Sequence, residues 1–400
     1  MSAADLLQGL LSVIRWGTAA FGALLVLGTL LSETRYPHWP VRLWDFPRSQ
    51  MAVVMTAIAC VYPLLAWWDG FGSAWNWLLP AVLLAATVRQ AMWIWPYVGP
   101  ADNDLKDASD DRDEDATIRV VISNVLMEND DYERWRNVIT DADADLVLAA
   151  ETTQKWIDEI NKALADSHPH QKLIPQDNYY GMGVWSRLPF KDLEVDHIVQ
   201  DDIPSIHLTL TLKDGRDVRM HGLHPRPPAP QMGDSSAPRD AELVLVGQRI
   251  KERRQSGGTR PTLVLGDLND VAWSRTTDLF LRISGMLDPR RGRGFFNSFH
   301  AEHWFVRFPL DHVFVSDDFR LVEMRRLDYV GSDHFPMFIE LSLEPEKAGE
   351  QEKHELDEAD KEEAEAMVDE QVEREQEGEE HGHLATDGKD EAGRQEEAQK

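Results

Sequence analysis

Thr262-Leu-Val-Leu-Gly-Asp-Leu-Asn269 is the stretch on which the fold turns. Its β-branched and leucine residues read as a short buried strand. The C-terminal end of that strand delivers an aspartate and an asparagine two positions apart. Residues i and i+2 of an extended chain point to the same side, so Asp267 and Asn269 project together above the strand end. Gly266 lets another stretch of backbone come close. An Asp-x-Asn after a strand also opens turns, and the octet alone supports both readings.

The same pattern recurs on either side. Leu310-Asp311-His312 opens the apolar run Val313-Phe314-Val315, and Ser332-Asp333-His334 precedes the run Phe335 to Leu343. Upstream, Ile118 to Asn124 ends in an asparagine, Leu146 to Glu151 ends in a glutamate, and Asp217 to His221 leads into Gly222-Leu-His224-Pro225. Polar groups at the edge of a core are costly unless they serve one another. Singly, Glu151 also reads as a helix cap, because Thr152-Thr153 and the amphipathic Gln154 to Ala165 follow it, and His224 reads as a surface histidine. Jointly they argue chemistry. Carboxylates, asparagines and histidines without a cysteine among them form a hard, oxygen-rich set suited to magnesium or manganese. Such a set fits phosphoester hydrolysis. The cation bridges to the phosphate, the amides donate to phosphoryl oxygens, and a histidine beside an aspartate is biased towards its protonated form.

At these residues the sequence resembles the endonuclease/exonuclease/phosphatase superfamily, the deoxyribonuclease-like fold, over roughly residues 116 to 343. The landmarks fall in the family's order: Asn124, Glu151, His224, Gly-Asp-x-Asn with Asp267 and Asn269, Asp311, and the terminal Ser-Asp-His with Asp333 and His334. The resemblance implies that Glu151 binds the catalytic magnesium or manganese with Asp333 close by, and that Asp267 activates or orients the attacking water. It implies that Asn269 and Asn124 hold the phosphate. It further implies that His334, paired with Asp311, contacts the scissile phosphate while His224 works from the other side. His224-Pro-Arg-Pro-Pro228 and Trp273-Ser274 are similar to segments of the membrane-anchored bacterial branch. Some nucleases of the family carry a second acidic ligand two residues after the first asparagine, where this chain has Leu126. The glutamate that supports the mid-domain histidine in deoxyribonucleases has no counterpart near Gly181 to Arg187.

The chain ends differ sharply in composition. Leu10 to Leu31, Met51 to Trp68 and Trp75 to Trp95 each approach the length needed to cross a bilayer. Tryptophans 67, 68, 75, 77, 93 and 95 cluster at their ends, as interfacial residues do. A buried helical subdomain is the alternative. Arg35, Arg42 and Arg48 between the first two segments favour a cytoplasmic first loop and, with three spans, a cytoplasmic main domain. Arg15 and Arg89 pull against this, and the side is left open. Residues 99–115 read as an acidic, solvated linker. From Glu344 onward, 23 acidic residues stand against 7 basic ones, about −16 of the chain's net −29, and few are large and apolar. That composition predicts an acidic tail that is disordered or at best transiently helical, with His381 and His383 solvated in it, and it repels nucleic acid. The one cysteine, Cys60, excludes an intramolecular disulfide.

Residues 1–98 are thus expected to be a transmembrane region of three helices, 99–115 a linker, 116–343 the catalytic domain and 344–400 the tail. Strands are predicted at Ile118–Asn124, Leu146–Ala150, Gly183–Ser186, Ile206–Leu212, Val218–His221, Thr262–Leu265, Asp311–Val315 and Phe335–Leu343, with one face of Ile206–Leu212 wetter than the other. Helices are predicted at Tyr132–Ala142, Gln154–Ala165, Arg239–Arg254 and Arg275–Ser284. Strands outnumber helices, which predicts an α/β domain of two face-to-face sheets with helices outside. The family resemblance makes this a four-layer sandwich. The expected function is a multi-pass, membrane-anchored phosphodiesterase or phosphatase with one divalent cation, acting on a phosphoester beside the lipid bilayer, with no obligate protein partner inferred. A nuclease is the alternative; Arg226, Arg239, Arg290, Arg291 and Arg293 could form a phosphate-reading surface, though such arginines are more often simply solvated. An inactive scaffold whose acidic tail recruits a basic partner is the second.

Overall fold

Ile118, Val120 and Ile122 point one way along the first strand and Val121 the other, so each face of that strand meets a different layer. A computed structural model describes residues 3–68, 74–228, 235–257, 261–352, 354–374 and 376. After four N-terminal helices, α1 (Ala3–Ser32), α2 (Trp39–Arg42), α3 (Arg48–Trp68) and α4 (Leu78–Ile94), the chain enters β1 (Thr117–Asn124), α5 (Tyr132–Asp141), β2 (Leu146–Ala150), α6 (Gln154–Leu164), β3 (His170–Ile174), β4 (Met182–Ser186) and β5 (Phe190–Asp196). It continues through β6 (Ser205–Thr211), β7 (Asp217–Gly222), α7 (Ala237–Gln255), β8 (Thr262–Asp267), α8 (Arg275–Ser284), β9 (Asp311–Val315), β10 (Phe319–Arg326) and β11 (Met337–Leu343).

Among the described residues one sheet has the order β10-β11-β1-β2-β4-β3 and the other β5-β6-β7-β8-β9. Pairing is antiparallel except for β1 with β2 and β7 with β8. Leu146 and Leu148 of the first sheet meet Leu208, Met220 and Leu263 of the second in one buried layer. Val147 and Ala149 face Trp135, Trp156 and Ile160 of α5 and α6. On the far side Val264 and Phe314 face Leu243, Val246, Ile250 and Phe280 of α7 and α8. The architecture is therefore the four-layer α/β sandwich.

The strands predicted from apolar runs form within two residues of their expected ends. Three others, β3, β5 and β10, are not among the predicted strands; they lie at sheet edges, β3 half-buried and β5 and β10 carrying exposed charge, whereas the fourth edge strand, β9, is buried along its whole length and reads as an apolar run. Charged residues such as Lys191, Asp192 and Glu194 or Glu323, Arg325 and Arg326 are what an unpaired edge uses to repel further strands. The outer face of β6 is not wet as expected. His207 and Thr209 are buried there, and His207 Nδ1 lies 2.9 Å from His221 Nδ1 on β7.

Three helices, Asp5–Ser32, Arg48–Trp68 and Leu78–Tyr97, are long and apolar enough to cross a membrane. Residues 69–73, in the connection between the second and third, lie outside the described residues. The end of α1, the start of α3 and the end of α4 all sit next to the sandwich. Pro37 O accepts from Ser236 N at 2.8 Å, Asp45 O accepts from Trp273 Nε1 at 2.8 Å, and the Tyr97 hydroxyl donates to Ala272 O. The first connector and the end of α4 are therefore both held against the main domain. Arg48 is fully buried against Asp45 and Gln90, Arg42 pairs with Asp45, and Arg35 pairs with Glu363 at 3.4 Å, so all three connector arginines are engaged within the protein.

Two expectations need correction. Residues 99–115 are not a free linker: Leu105 is buried in the sandwich core, and Lys106 O and Ala108 N bond to the backbone of Leu321 at 2.9 and 2.7 Å along β10. Nor is the acidic segment disordered where it is described. Residues 358–374 form a helix, α9, whose Ala364, Met367 and Val368 pack on Val244, Leu279 and Ile283. Glu363 of α9 bonds to Arg275, and Asp360 pairs with Arg282 at 3.3 Å. Apolar residues spaced three and four apart give this acidic stretch one face that can be buried. His381 and His383 lie outside the described residues.

Candidate active site

Parallel pairing of β1 with β2, and of β7 with β8, brings the C-terminal ends of these strands to one rim of the sandwich. Asn124 ends β1 there with its side chain buried. Its Nδ2 donates to Glu151 Oε1 at 2.8 Å and to Asp267 Oδ2 at 3.0 Å, and its Oδ1 accepts from Leu126 N at 3.0 Å. Both amide hydrogens are thus spent on carboxylates. Asn124 thereby bridges the ends of the two sheets through Glu151 and Asp267.

Glu151 follows β2 with φ +62°, Leu126 follows β1 with φ +56°, and Asn269 follows β8 with φ +52°. Left-handed conformations cost a side-chain-bearing residue about 1–3 kcal/mol and collect at functional sites. At Glu151 the twist aims the carboxylate at Asn124, while its Oε2 accepts from Met127 N at 3.1 Å. The helix cap is made instead by Thr153, whose side chain accepts from Trp156 N, so Glu151 is free for the site. Burial pushes its carboxyl up to about 7, against the donation from Asn124 and Met127.

Asp267 is buried at the end of β8. Its Oδ1 accepts from Asn269 N at 3.0 Å, so the turn and the site are one feature. Its Oδ2 lies 3.5 Å from His334 Nε2 and 3.8 Å from His224 Nε2. Gly266, with φ +146°, has no room for a Cβ, which would stand 1.8 Å from Leu223 O. That contact brings the segment carrying His224 against the end of β8. Asn269 Nδ2 donates to Pro225 O at 2.9 Å, which leaves it one amide hydrogen, and its carbonyl accepts from Arg239 at 2.7 Å.

Asp311 opens β9, with Oδ2 2.8 Å from His334 Nδ1. Burial depresses the His334 imidazolium, but Asp267, Asp311 and Asp333 outweigh it and hold the group up at about 10. His224 behaves in the opposite way, since burial lowers it more than Asp267 raises it. The ring of Tyr180 lies 5.7 Å from that of His224, in the region where the supporting glutamate is missing. Burial also lifts the Asp333 carboxyl, against His334 and His300.

The structure therefore gathers Asn124, Glu151, His224, Asp267, Asn269, Asp311, Asp333 and His334 at one rim. Reading the sequence missed the residues that hold them. Ser332 Oγ donates to Asn124 O at 2.8 Å and accepts from His334 N at 3.0 Å, tying the last landmark to the first. Ser298 Oγ accepts from Asp311 N at 3.1 Å, and the Phe299 ring lies 5.0 Å from that of His334. Ser332 stands within a quoted motif, but the 285–310 loop carries no periodic signal. The five arginines do not form a phosphate-reading surface. Arg226 pairs with Asp202 at 3.0 Å, Arg239 with Asp240 at 2.8 Å, Arg290 with Asp288 at 2.7 Å, Arg291 with Asp278 at 2.7 Å and Arg293 with Asp107 at 2.6 Å.

The donor set fits a divalent cation. Asp267, Asp311 and His334 offer ligand atoms within 4.8 Å of one another, with Glu151 linked to them through Asn124. Among the described residues no lysine or arginine pairs with Glu151, Asp267 or Asp333; histidine is Asp267's partner. Asp311 Oδ1 is buried without a hydrogen-bond partner. Buried carboxylates with so little compensating charge are stabilised by a hard cation, and oxygen ligands are what magnesium, manganese or calcium take.

A family model described as the Endonuclease/Exonuclease/phosphatase family matches residues 122–334. Among solved structures, the chain is similar to an endonuclease/exonuclease/phosphatase from Beutenbergia cavernae, at 17% identity over 57% of this chain and 72% of that one, with a TM-score of 0.46. It is similar to a family protein from Bacteroides thetaiotaomicron, at 19% identity over 57% and 96% with a TM-score of 0.46. It is also similar to sphingomyelinase C from Streptomyces griseocarneus, at 17% over 56% and 99% with a TM-score of 0.43. Likeness at this level carries no argument about substrate. Among curated proteins no match was found.

Proposed function

The chain belongs to the endonuclease/exonuclease/phosphatase family, and from that premise we propose that it is a membrane-anchored hydrolase of phosphoesters that works with one divalent cation, magnesium or manganese. The observation that carries this reading is the cluster of carboxylates Glu151, Asp267 and Asp333, with which no lysine or arginine pairs among the described residues, beside the buried His334–Asp311 pair. Glu151 and Asp333 would hold the cation, which supplies charge neutralisation to a phosphoryl group when bound. Asp267 takes a proton from the attacking water as the water oxygen bonds to phosphorus and the bond to the ester oxygen breaks. His334, oriented through Nδ1 by Asp311, presents Nε2 to a phosphoryl oxygen as negative charge grows there. His224 donates from the opposite side, and the remaining amide hydrogen of Asn269 orients the phosphate. Asn124 positions Glu151 and Asp267 and touches no substrate. The three apolar helices, with the connector held against the sandwich, keep this site beside the bilayer.

The test uses the full chain with bis(p-nitrophenyl) phosphate, plasmid DNA, single-stranded DNA, a phosphoinositide and sphingomyelin, each with magnesium, manganese or a chelator. Turnover that requires the cation is expected, and Glu151→Gln should raise the cation concentration needed for half-maximal rate. Absence of cation-dependent turnover on every substrate overturns the proposal.

A further inference from the structure

A cavity of about 820 Å³ runs from the candidate active site to the connector between the first two long helices. Glu151, Asp267, Asn269, Asp333 and His334 line one end, and Trp39, Leu43, Trp44 and Phe46 line the other. Pro227, Pro228, Phe299 and Phe308 stand between them. Small-molecule sites have this size and this character, an apolar wall with a few convergent polar groups. The wall discriminates between substrates. Among the described residues no lysine or arginine lines it, and away from the catalytic end the one side chain with an amide or charge is Gln50. A nucleic acid strand would find no counter-charge for its phosphates, and a sugar would leave its hydroxyls unpaired. A hydrocarbon chain would lose nothing.

The mouth of the cavity is placed to receive one. Gln50, in the first turn of α3, donates from Nε2 to Phe305 O at 3.4 Å, so the tip of the 299–308 loop is level with the start of an apolar span. Trp304, Phe305 and Leu43 are 80%, 60% and 56% exposed at that level, where aromatic side chains sit at a membrane–water interface. We infer that the substrate is a phosphoester with a hydrocarbon chain, which enters from the bilayer and lies in this channel while its phosphate meets His334 and Asp267. The inference rests on the proposed hydrolase reading and adds the class of substrate. It also gives the N-terminal region a direct part in substrate selection, since the connector supplies one wall.

The experiment uses the full chain in amphipol with p-nitrophenyl alkyl phosphodiesters from methyl to octyl, below their micelle concentrations. Calorimetric titrations with butyl and octyl phosphate accompany it. The specificity constant kcat/KM should climb with chain length, by at most about fourfold per methylene (about 0.8 kcal/mol) until the channel is filled. Octyl phosphate should bind more tightly than butyl phosphate. Leu43→Ser and Phe305→Ser, at exposed positions on which folding does not depend, should flatten both trends. Rates and affinities independent of chain length overturn the inference while leaving the hydrolase reading intact, and so does a slope that survives both substitutions. Chain-dependent binding without turnover of any ester keeps the channel and overturns the hydrolase. Absence of both turnover and binding overturns the two together.

Discussion

Asp311→Asn isolates the one contact on which the proposed chemistry leans most. Asp311 Oδ2 and His334 Nδ1 lie 2.8 Å apart, and the two residues are 2% and 4% exposed, so solvent screens the pair little. Asparagine has the same shape and keeps the backbone bond from position 311 to Ser298 Oγ at 3.1 Å, so the scaffold survives while the charge is lost. A charge-assisted hydrogen bond contributes about 1.5–3 kcal/mol. If all of it is felt where His334 faces developing negative charge, kcat falls by about 10- to 160-fold. His334→Ala removes the group itself and should cost about 10² to 10⁴. If Asp311 acts through His334 and not as a cation ligand, adding Asp311→Asn to His334→Ala should change the rate by less than about twofold, a coupling nearly as large as the single effect. Initial rates on bis(p-nitrophenyl) phosphate at saturating magnesium, with thermal unfolding to verify each fold, measure all four corners of the cycle. Penalties that simply multiply, or an Asp311→Asn loss below about threefold, would refute the assignment.

Three further outcomes follow from other parts of the molecule. Burial first, then Arg219 and Arg249, holds His207 down at about 4, and His221 is also well below its ordinary value. Unfolded histidines take up protons near pH 6.5 while these two stay neutral, so unfolding free energy should be highest above pH 6.5. It should fall by about 1.4 kcal/mol per unit and per histidine down to about pH 4; urea titrations at pH 7 and 5 that agree in wild type, or that differ as much in His207→Gln, would contradict this. Tyr97→Phe strands the buried Ala272 carbonyl at the junction of α4 with the sandwich, and it should lower stability by about 1–3 kcal/mol in a denaturant titration; an unchanged midpoint argues that the junction is not held there. Gly266→Ala forces a methyl into Leu223 O at a φ that side chains avoid, and a loss above about 3 kcal/mol is expected; wild-type yield and melting temperature would show that the two segments do not need to touch.

The central strands were legible because each is buried on at least one face, and burial writes an apolar run into the chain. The edge strands β3, β5 and β10 were not, because an edge is shaped by what it must repel, and charge there looks like loop. Helix α9 escaped notice for a related reason: a glutamate-rich composition hides the few apolar residues that pack on Val244 and Ile283. The polar residues of the site were legible as a set, but the partners each one has were not. Asn124 has the identity expected of a phosphate ligand, yet its two donors go to Glu151 and Asp267. The loop arginines resemble a phosphate-reading surface, yet each has a carboxylate partner.

By itself the sequence determined the buried strands and the helices between them, the three apolar helices and the polar residues that terminate the strands, because these depend on local pattern and on which side chains water rejects. Tertiary structure alone decided that Ser332 ties the last landmark to the first, that residues 99–115 line an edge of the sandwich, and that the helix connector closes a channel onto the catalytic rim. Those arrangements join residues more than two hundred positions apart. Their energies come from the packing of two sheets and a helix bundle against one another, and no local window of sequence carries that information.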